Sequence, residues 1–240
     1  MVLSLFKQFA RVAMSLAVLS VAQAVVAEES AEVAPHLLST CPVSGSELGA
    51  MGEPVSKVYD GKEVKFCCGG CPAKYEADRA KYDAEIEAKL IASQTPHYPL
   101  ETCVVSGEKL GAMGEPVNYI DGSTLVRLCC KGCVPKFQAN EDKYRSSLDQ
   151  AVAEKQVADY PLDTCVVSGD KLGGAMGDPI DYVAGNRLIR LCCKGCIKDV
   201  AKDPAKYLQM IDEGHGGGAA EGSGHSDGHG EHQHGSADQK

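Results

Sequence analysis

One cysteine pattern occurs three times and constrains everything else in the chain. It reads Phe66-Cys67-Cys68-Gly69-Gly70-Cys71, then Leu128-Cys129-Cys130-Lys131-Gly132-Cys133, then Leu191-Cys192-Cys193-Lys194-Gly195-Cys196. Each copy follows a β-rich run and opens a helical one. One further cysteine stands ahead of each copy: Cys41, Cys103 and Cys165, at intervals of 62 residues. The double cysteines follow at 62 and then 63, because Gly173-Gly174 stands where the earlier copies have the single Gly49 or Gly111. These positions account for all 12 cysteines, so the 240 residues divide into three similar units rather than one or two average domains. Units of about 60 residues bury little core, and these contain no Trp and few other aromatics. Chains of this size hold a fold with the help of a metal, disulfides or neighbours.

Within a unit the order of elements is constant. Thr40-Cys41-Pro42-Val43-Ser44-Gly45 has the composition of a tight turn, and a Gly-rich loop around Met51 follows. Val55–Tyr59, Asp60-Gly61 and Lys62–Phe66 read as a β-hairpin. From Cys71 the pattern turns helical, with Tyr82, Ile86 and Leu90 on one face. The second unit repeats this with Val117–Ile120, Asp121-Gly122 and Leu125–Leu128, then the stripe Tyr144, Leu148 and Val152, with Asn140 as its cap. The third turns at Ala184-Gly185-Asn186, and Asp203-Pro204 starts its helix. Tyr98-Pro99-Leu100 and Tyr160-Pro161-Leu162 are matching connectors. The expected architecture is α+β: three small tandem treble-clef-like modules, each a knuckle, a β-hairpin and a helix. The expected boundaries are a signal peptide at 1–27, a flexible acidic lead-in at 28–38 and repeats at 39–97, 98–159 and 160–213. A disordered His- and Gly-rich tail completes the chain at 214–240.

At these cysteines the chain resembles the YHS/TRASH superfamily of small metal-binding domains. That family pairs an early Cys with a later Cys-x-x-x-Cys opening a helix, followed by an Asp-Pro-x-x-Tyr-like element. Here Cys41 pairs with Cys67 and Cys71, Cys103 with Cys129 and Cys133, and Cys165 with Cys192 and Cys196. Phe66 supplies the preceding aromatic residue, and Asp203-Pro204-Ala205-Lys206-Tyr207 supplies the closing element. Asn140–Tyr144 and Asp78–Tyr82 are its counterparts in the other repeats. The resemblance spans residues 40–212 and implies heavy-metal sensing, trafficking or resistance.

The ligand set departs from the common zinc knuckle. Ser44, Ser106 and Ser168 stand where a second knuckle thiol would be, and Cys68, Cys130 and Cys193 supply a fourth thiol beside the helix instead. Four thiolates suit closed structural Zn(II); three with an open edge suit Cu(I) or another exchangeable soft ion. Both remain open on sequence, with one ion per repeat. Met51, Met113 and Met176 recur at one loop position, as an apolar plug over the hairpin or as a thioether ligand. His215, His225, His229, His232 and His234 fall within the tail and read as a flexible metal-collecting set. His36 and His97 lack a counterpart before the third repeat and read as incidental.

Charge and compartment narrow the function. Lys7, Arg11 and the apolar run Val12–Val26 read as an export signal cut after Ala27 or Ala24, with a retained membrane anchor as the alternative. Its removal moves the formal net charge from −9 to −11, which disfavours phosphate-backbone binding and suits a protein that attracts cations. The expectation is a periplasmic or secreted protein. It binds metal ions, exchanges them with a protein donor or acceptor, contacts neither nucleic acid nor membrane once cleaved, and is not an enzyme. Export also favours disulfides, so a disulfide-stapled or structural-zinc interaction module is the first alternative. A thiol–disulfide oxidoreductase built on Cys68-Gly69-Gly70-Cys71 is the next, disfavoured because the units lack a βαβ pattern.

Overall fold

The computed structural model describes residues 33–216. The expected signal segment, the part of the expected tail from residue 217 and with it His225, His229, His232 and His234 lie outside the described residues, while residues 214–216, expected in the tail, continue the last helix. Of His215 only the backbone is described. The fold is α+β and built from three copies of one unit. The first holds strands β1 (Val55–Tyr59) and β2 (Lys62–Phe66), then helices α1 (Cys71–Ala77) and α2 (Arg79–Gln94). The second holds β3 (Val117–Asp121), β4 (Thr124–Leu128), α3 (Val134–Gln138) and α4 (Glu141–Gln156). The third holds β5 (Ile180–Ala184), β6 (Arg187–Leu191), α5 (Ile197–Lys202) and α6 (Pro204–Gly216). Each strand pair is a separate two-stranded antiparallel sheet. No helix among the described residues is long and apolar enough to cross a membrane.

The knuckle ahead of each hairpin is closed by its own backbone. The Cys41 N–H donates to Ser46 O at 2.8 Å and the Gly45 N–H to Cys41 O at 2.9 Å, and the same bonds recur at Cys103 and Cys165. Gly45, Gly107 and Gly169 sit at φ +72°, +75° and +78°, a left-handed conformation that other residues adopt at a cost. That requirement explains the repeated Val-Ser-Gly.

The hairpin turns are two residues long in all three units. Asp60-Gly61 is as expected from sequence. In the second unit the turn is Gly122-Ser123, one residue later than expected, because Asp121 pairs with Thr124 inside the ladder. In the third it is Gly185-Asn186, with Ala184 still in the strand and both turn residues at positive φ, as a type I′ turn demands. The helical run after the last cysteine is broken rather than continuous. The chain leaves helical geometry at Asp78, Asn140 and Asp203, and a second helix starts beyond each. Asn140 holds the N-cap position of α4, but its side chain makes no capping bond. Pro204 opens α6 as expected.

Each unit has its own small core, and the cysteines belong to it. Cys41, Cys67 and Cys71 pack with Val64, Phe66 and Tyr75. Rings extend this core: Phe66 meets Tyr75 edge-on at 5.4 Å and Tyr75 stacks on Tyr82 at 6.0 Å. The second core gathers Cys103, Cys129 and Cys133 with Leu125, Leu128, Phe137 and Leu148. The third places Cys165, Cys192 and Cys196 with Ile189, Leu191, Val200 and Ile211.

The units are joined by a repeated amide clamp. Gln94, the last residue of α2, donates from Nε2 to Ser123 O at 2.8 Å and accepts the Leu125 N–H at 2.7 Å. Gln156, the last residue of α4, does the same to the next hairpin, at 2.8 Å to Asn186 O and 2.9 Å from the Leu188 N–H. Among the described residues no helix precedes the first hairpin. There the backbone of Ala34 replaces the side-chain amide: its N–H donates to Gly61 O at 2.9 Å and its carbonyl accepts the Glu63 N–H at 2.8 Å.

Residues 33–38 are therefore not the flexible lead-in expected from their composition. Ala34 bridges to Lys62, Leu38 is buried, and Leu37 packs on the core of the third unit. That third unit also reaches back to the first two. The Asn186 amide, fully buried, donates to Gln94 Oε1 at 3.1 Å and Leu125 O at 2.8 Å. Lys65 of β2 is ion-paired with Asp203 at 2.9 Å. A Cβ at Gly185 would lie 2.7 Å from Leu37 Cδ1 and 3.3 Å from the Gln94 amide, so a side chain there would displace Leu37 and strain a backbone at φ +54°.

Candidate metal centres

Three thiols converge in each unit. Cys41, Cys67 and Cys71 bring their Sγ atoms within 4.8 Å of one another, as do Cys103, Cys129 and Cys133, and Cys165, Cys192 and Cys196. All nine are buried. The knuckle supplies the first, the end of the hairpin the second, and the start of the helical segment the third. In the second and third units a 3-10 turn, Lys131–Cys133 or Lys194–Cys196, delivers that last thiol. The closest separations are 3.7 Å for Cys67–Cys71, 3.6 Å for Cys129–Cys133 and 3.8 Å for both Cys192–Cys196 and Cys165–Cys196. A tetrahedral thiolate site with metal–sulfur bonds near 2.3 Å has sulfur–sulfur edges of about 3.8 Å, so each triad can hold one ion.

The fourth cysteine of each unit stands at the rim. Cys68 Sγ lies 3.5 Å from Cys71 Sγ, and Cys130 and Cys193 lie 3.8 Å from Cys133 and Cys196. Cys68 is exposed and the other two are half-buried, and none lies within 4.8 Å of all three inner sulfurs. The arrangement is thus three inner thiols and one outer thiol touching the third of them.

The polar surroundings differentiate the thiols. Burial on its own would push Cys41 up, but N–H groups of Cys67 and Ser44 and the Ser44 hydroxyl outweigh it and hold the thiol down at about 6. The same contest holds Cys103 and Cys165 at about 7. Burial wins at the third thiol: Cys71 and Cys133 are pushed up to about 12, helped by neighbouring sulfurs, and Cys196 is raised as well. The outer thiols are held below their ordinary value, Cys68 mainly by the Gly70 N–H, Cys130 by Cys133 and Cys193 by the Cys196 N–H. Each unit thus offers a knuckle thiolate near neutral pH and keeps a proton on its third sulfur. A soft cation that displaces that proton would complete the site.

The knuckle serine has a role that its sequence position only hinted at. Ser44 Oγ lies 3.2 Å from Cys67 Sγ, and Ser106 and Ser168 lie 3.3 Å from Cys129 and Cys192. Each oxygen accepts an N–H from two residues on, at 3.3 Å, from Ser46, Glu108 or Asp170. The same hydroxyl bonds to sulfur, as donor to a thiolate or as acceptor from a thiol. Where a common knuckle has a second thiol, these units have a hydroxyl hydrogen-bonded to one.

Two other sequence expectations change. Met51, Met113 and Met176 are not plugs over the hairpins: they are 62, 60 and 60 % exposed. The Gly-rich loop carries them outward, while Leu48, Leu110 and Leu172 make the inward contact. His36 is not incidental to the fold. It stands five residues before Cys41, as Tyr98 and Tyr160 stand before Cys103 and Cys165. Those hydroxyls accept the Arg127 and Arg190 N–H groups at 3.1 Å. His36 is buried, and burial, with Lys65 beside it, lowers its pKa to about 4. The equal five-residue spacing was the available signal. His97 also lies at a seam, 3.5 Å from Arg187 Nη1.

Compared with family models, curated proteins and solved structures, the chain matches none, so its likeness to the YHS/TRASH domains rests on its cysteine motifs.

Proposed function

We propose that this chain is an exported, three-site binder of soft metal ions that stores, delivers or detoxifies them in the periplasm or outside the cell. Each treble-clef-like module holds one Zn(II) or Cu(I) on its inner thiols, and the His-rich tail collects ions more weakly. Its partners are metal ions and a protein that gives or receives them, and it carries out no catalysis. The main support is the threefold recurrence of sulfur–sulfur separations near the tetrahedral edge, 3.6 to 3.8 Å within the triads. The inner shell of three thiols with a touching fourth favours an exchangeable ion over a closed structural one.

Anaerobic purification from the native compartment followed by elemental analysis tests this. The expected result is three equivalents of a soft metal held by the modules, with removal of residues 217–240 lowering only the weaker binding. Protein free of metal, with every sulfur tied to another sulfur, would sink it. A second reading, structural zinc in a protein-interaction module, draws support from the place of the triads inside the hydrophobic cores. Exchange separates the two: ions that pass to a chelator within minutes support trafficking, and ions released only on unfolding support the structural role.

A further inference from the structure

We propose that the outer thiol and the third inner thiol of each unit form a redox latch, Cys68–Cys71, Cys130–Cys133 and Cys193–Cys196, whose closure expels the bound ion. This rests on the triads as metal sites, but the pairing it specifies is readable without any metal.

The geometry recurs three times. The two sulfurs are 3.5, 3.8 and 3.8 Å apart. The N–H of the third thiol's residue donates to the carbonyl of the outer one, at 3.2, 3.1 and 3.2 Å, so each pair spans a single tight turn. Three residues in such a turn separate their Cα atoms by about 6 Å, inside the range that a disulfide bridges. The residue ahead of the third cysteine is glycine in each unit; a Cβ there would meet nothing within 4 Å at Gly70 and would make only ordinary contact with the outer sulfur at Gly132 and Gly195, at 3.8 and 3.5 Å. Access is one-sided: the inner thiols are buried in every unit, whereas Cys68 is exposed and Cys130 and Cys193 are half-buried, so the outer thiol is the one a small-molecule disulfide meets first.

The chemistry balances with one such disulfide per unit. The Cys68 thiol gives its proton to solvent and its thiolate attacks one sulfur of the oxidant, expelling a thiolate and leaving a mixed disulfide. The Cys71 thiolate leaves the metal and attacks Cys68 Sγ, expelling the second thiolate. Two cysteine sulfurs are oxidised, the external disulfide is reduced to two thiolates, and the ion keeps only Cys41 and Cys67. Two thiolates do not satisfy Zn(II), which takes four ligands, and a bound zinc ion departs.

The test uses the full mature protein loaded with Zn(II) and treated with oxidised glutathione. Released zinc is followed with a chromogenic chelator, and disulfides are mapped by peptide mass spectrometry after alkylation. The expected result is loss of three zinc ions in step with three disulfides, each between outer and third cysteine. The triple variant Cys68→Ser, Cys130→Ser, Cys193→Ser should release its zinc at least tenfold more slowly. The metal-free chain should give the same three pairs, which keeps the latch testable even if zinc binding itself fails. Disulfides running from Cys41 to Cys67 or between units, zinc retained after the latch closes, or unchanged release from the triple variant would each overturn the proposal.

Discussion

The individual side chains that matter most around the thiols are those that set where protons sit. Ser106 supports Cys129 from 3.3 Å, and its oxygen is already engaged by the Glu108 N–H. Ser106→Ala removes one hydrogen-bond partner of a sulfur, a loss of about 0.5–1.5 kcal/mol, or two- to tenfold in affinity. Chelator competition should register that weakening in one equivalent of three. The thiols also give the metal-free fold a pH dependence of definite sign. Cys41, Cys103 and Cys165 are depressed in the fold, to about 6 or 7, so their stabilisation is full above the ordinary thiol value and fades as pH falls toward 6. Cys71 and Cys133 are raised to about 12, so their stabilisation is full below the ordinary value and is lost as pH rises toward 12. Melting temperature of reduced, metal-free protein should therefore peak near pH 9 in its thiol-dependent part. A melting curve that rises steadily to pH 12 would contradict this assignment. The raised set also implies proton release on metal binding at neutral pH, measurable as a buffer-dependent heat.

Among the elements, the clamp between helix end and next hairpin is the most specific connection. Gln94→Ala leaves the Leu125 N–H and the Ser123 carbonyl without their partners at a buried seam, at a cost of about 2–4 kcal/mol. Gln156 is half-buried, so water can replace part of its clamp, and Gln156→Ala should cost about 1 kcal/mol. Urea midpoints of the two variants should keep that order. The hairpins and the stripes Tyr144, Leu148, Val152 and Tyr82, Ile86, Leu90 are local signals, and the sequence carried them well. The break at Asp78 was harder to see, because that residue makes no side-chain cap and the helical pattern runs through it, whereas Asn140 and Asp203-Pro204 marked the same start in the other units. The clamp was illegible for a different reason. Gln94 and Gln156 look like ordinary polar residues at a helix end, and only the next hairpin reveals two backbone groups waiting for an amide. Residues 33–38 misled for the same reason: a backbone such as Ala34 carries no compositional mark of its edge pairing. The cysteine triads were legible because ligands at fixed spacing are a property of sequence, whereas the outer position of Cys68, Cys130 and Cys193 is a property of packing.

At the scale of the whole molecule, the three units behave as one body rather than beads on a string. No unit has a large core, and each lends part of itself to another. Helix α2 packs on β3 and β4, helix α4 on β5 and β6, and Ile91 joins the core of the second unit. The third unit returns to the first two through Leu37, Asn186 and the Lys65–Asp203 pair. A closed set of seams of this kind couples unfolding, since loosening one unit uncovers apolar surface and unpaired amides on its neighbours. Asn186→Gly isolates the effect. It keeps the positive-φ turn but removes the amide that reaches Gln94 and Leu125, both outside the third unit. If the units were independent, hydrogen exchange would quicken only around β5 and β6. The seams require faster exchange also at the Leu125 amide on β4 and at the end of α2, with one urea transition throughout and a midpoint lowered by about 1–2 kcal/mol of stability. Two resolved transitions in the unsubstituted metal-free protein would show instead that thiols and bound ions, not the seams, hold the units together.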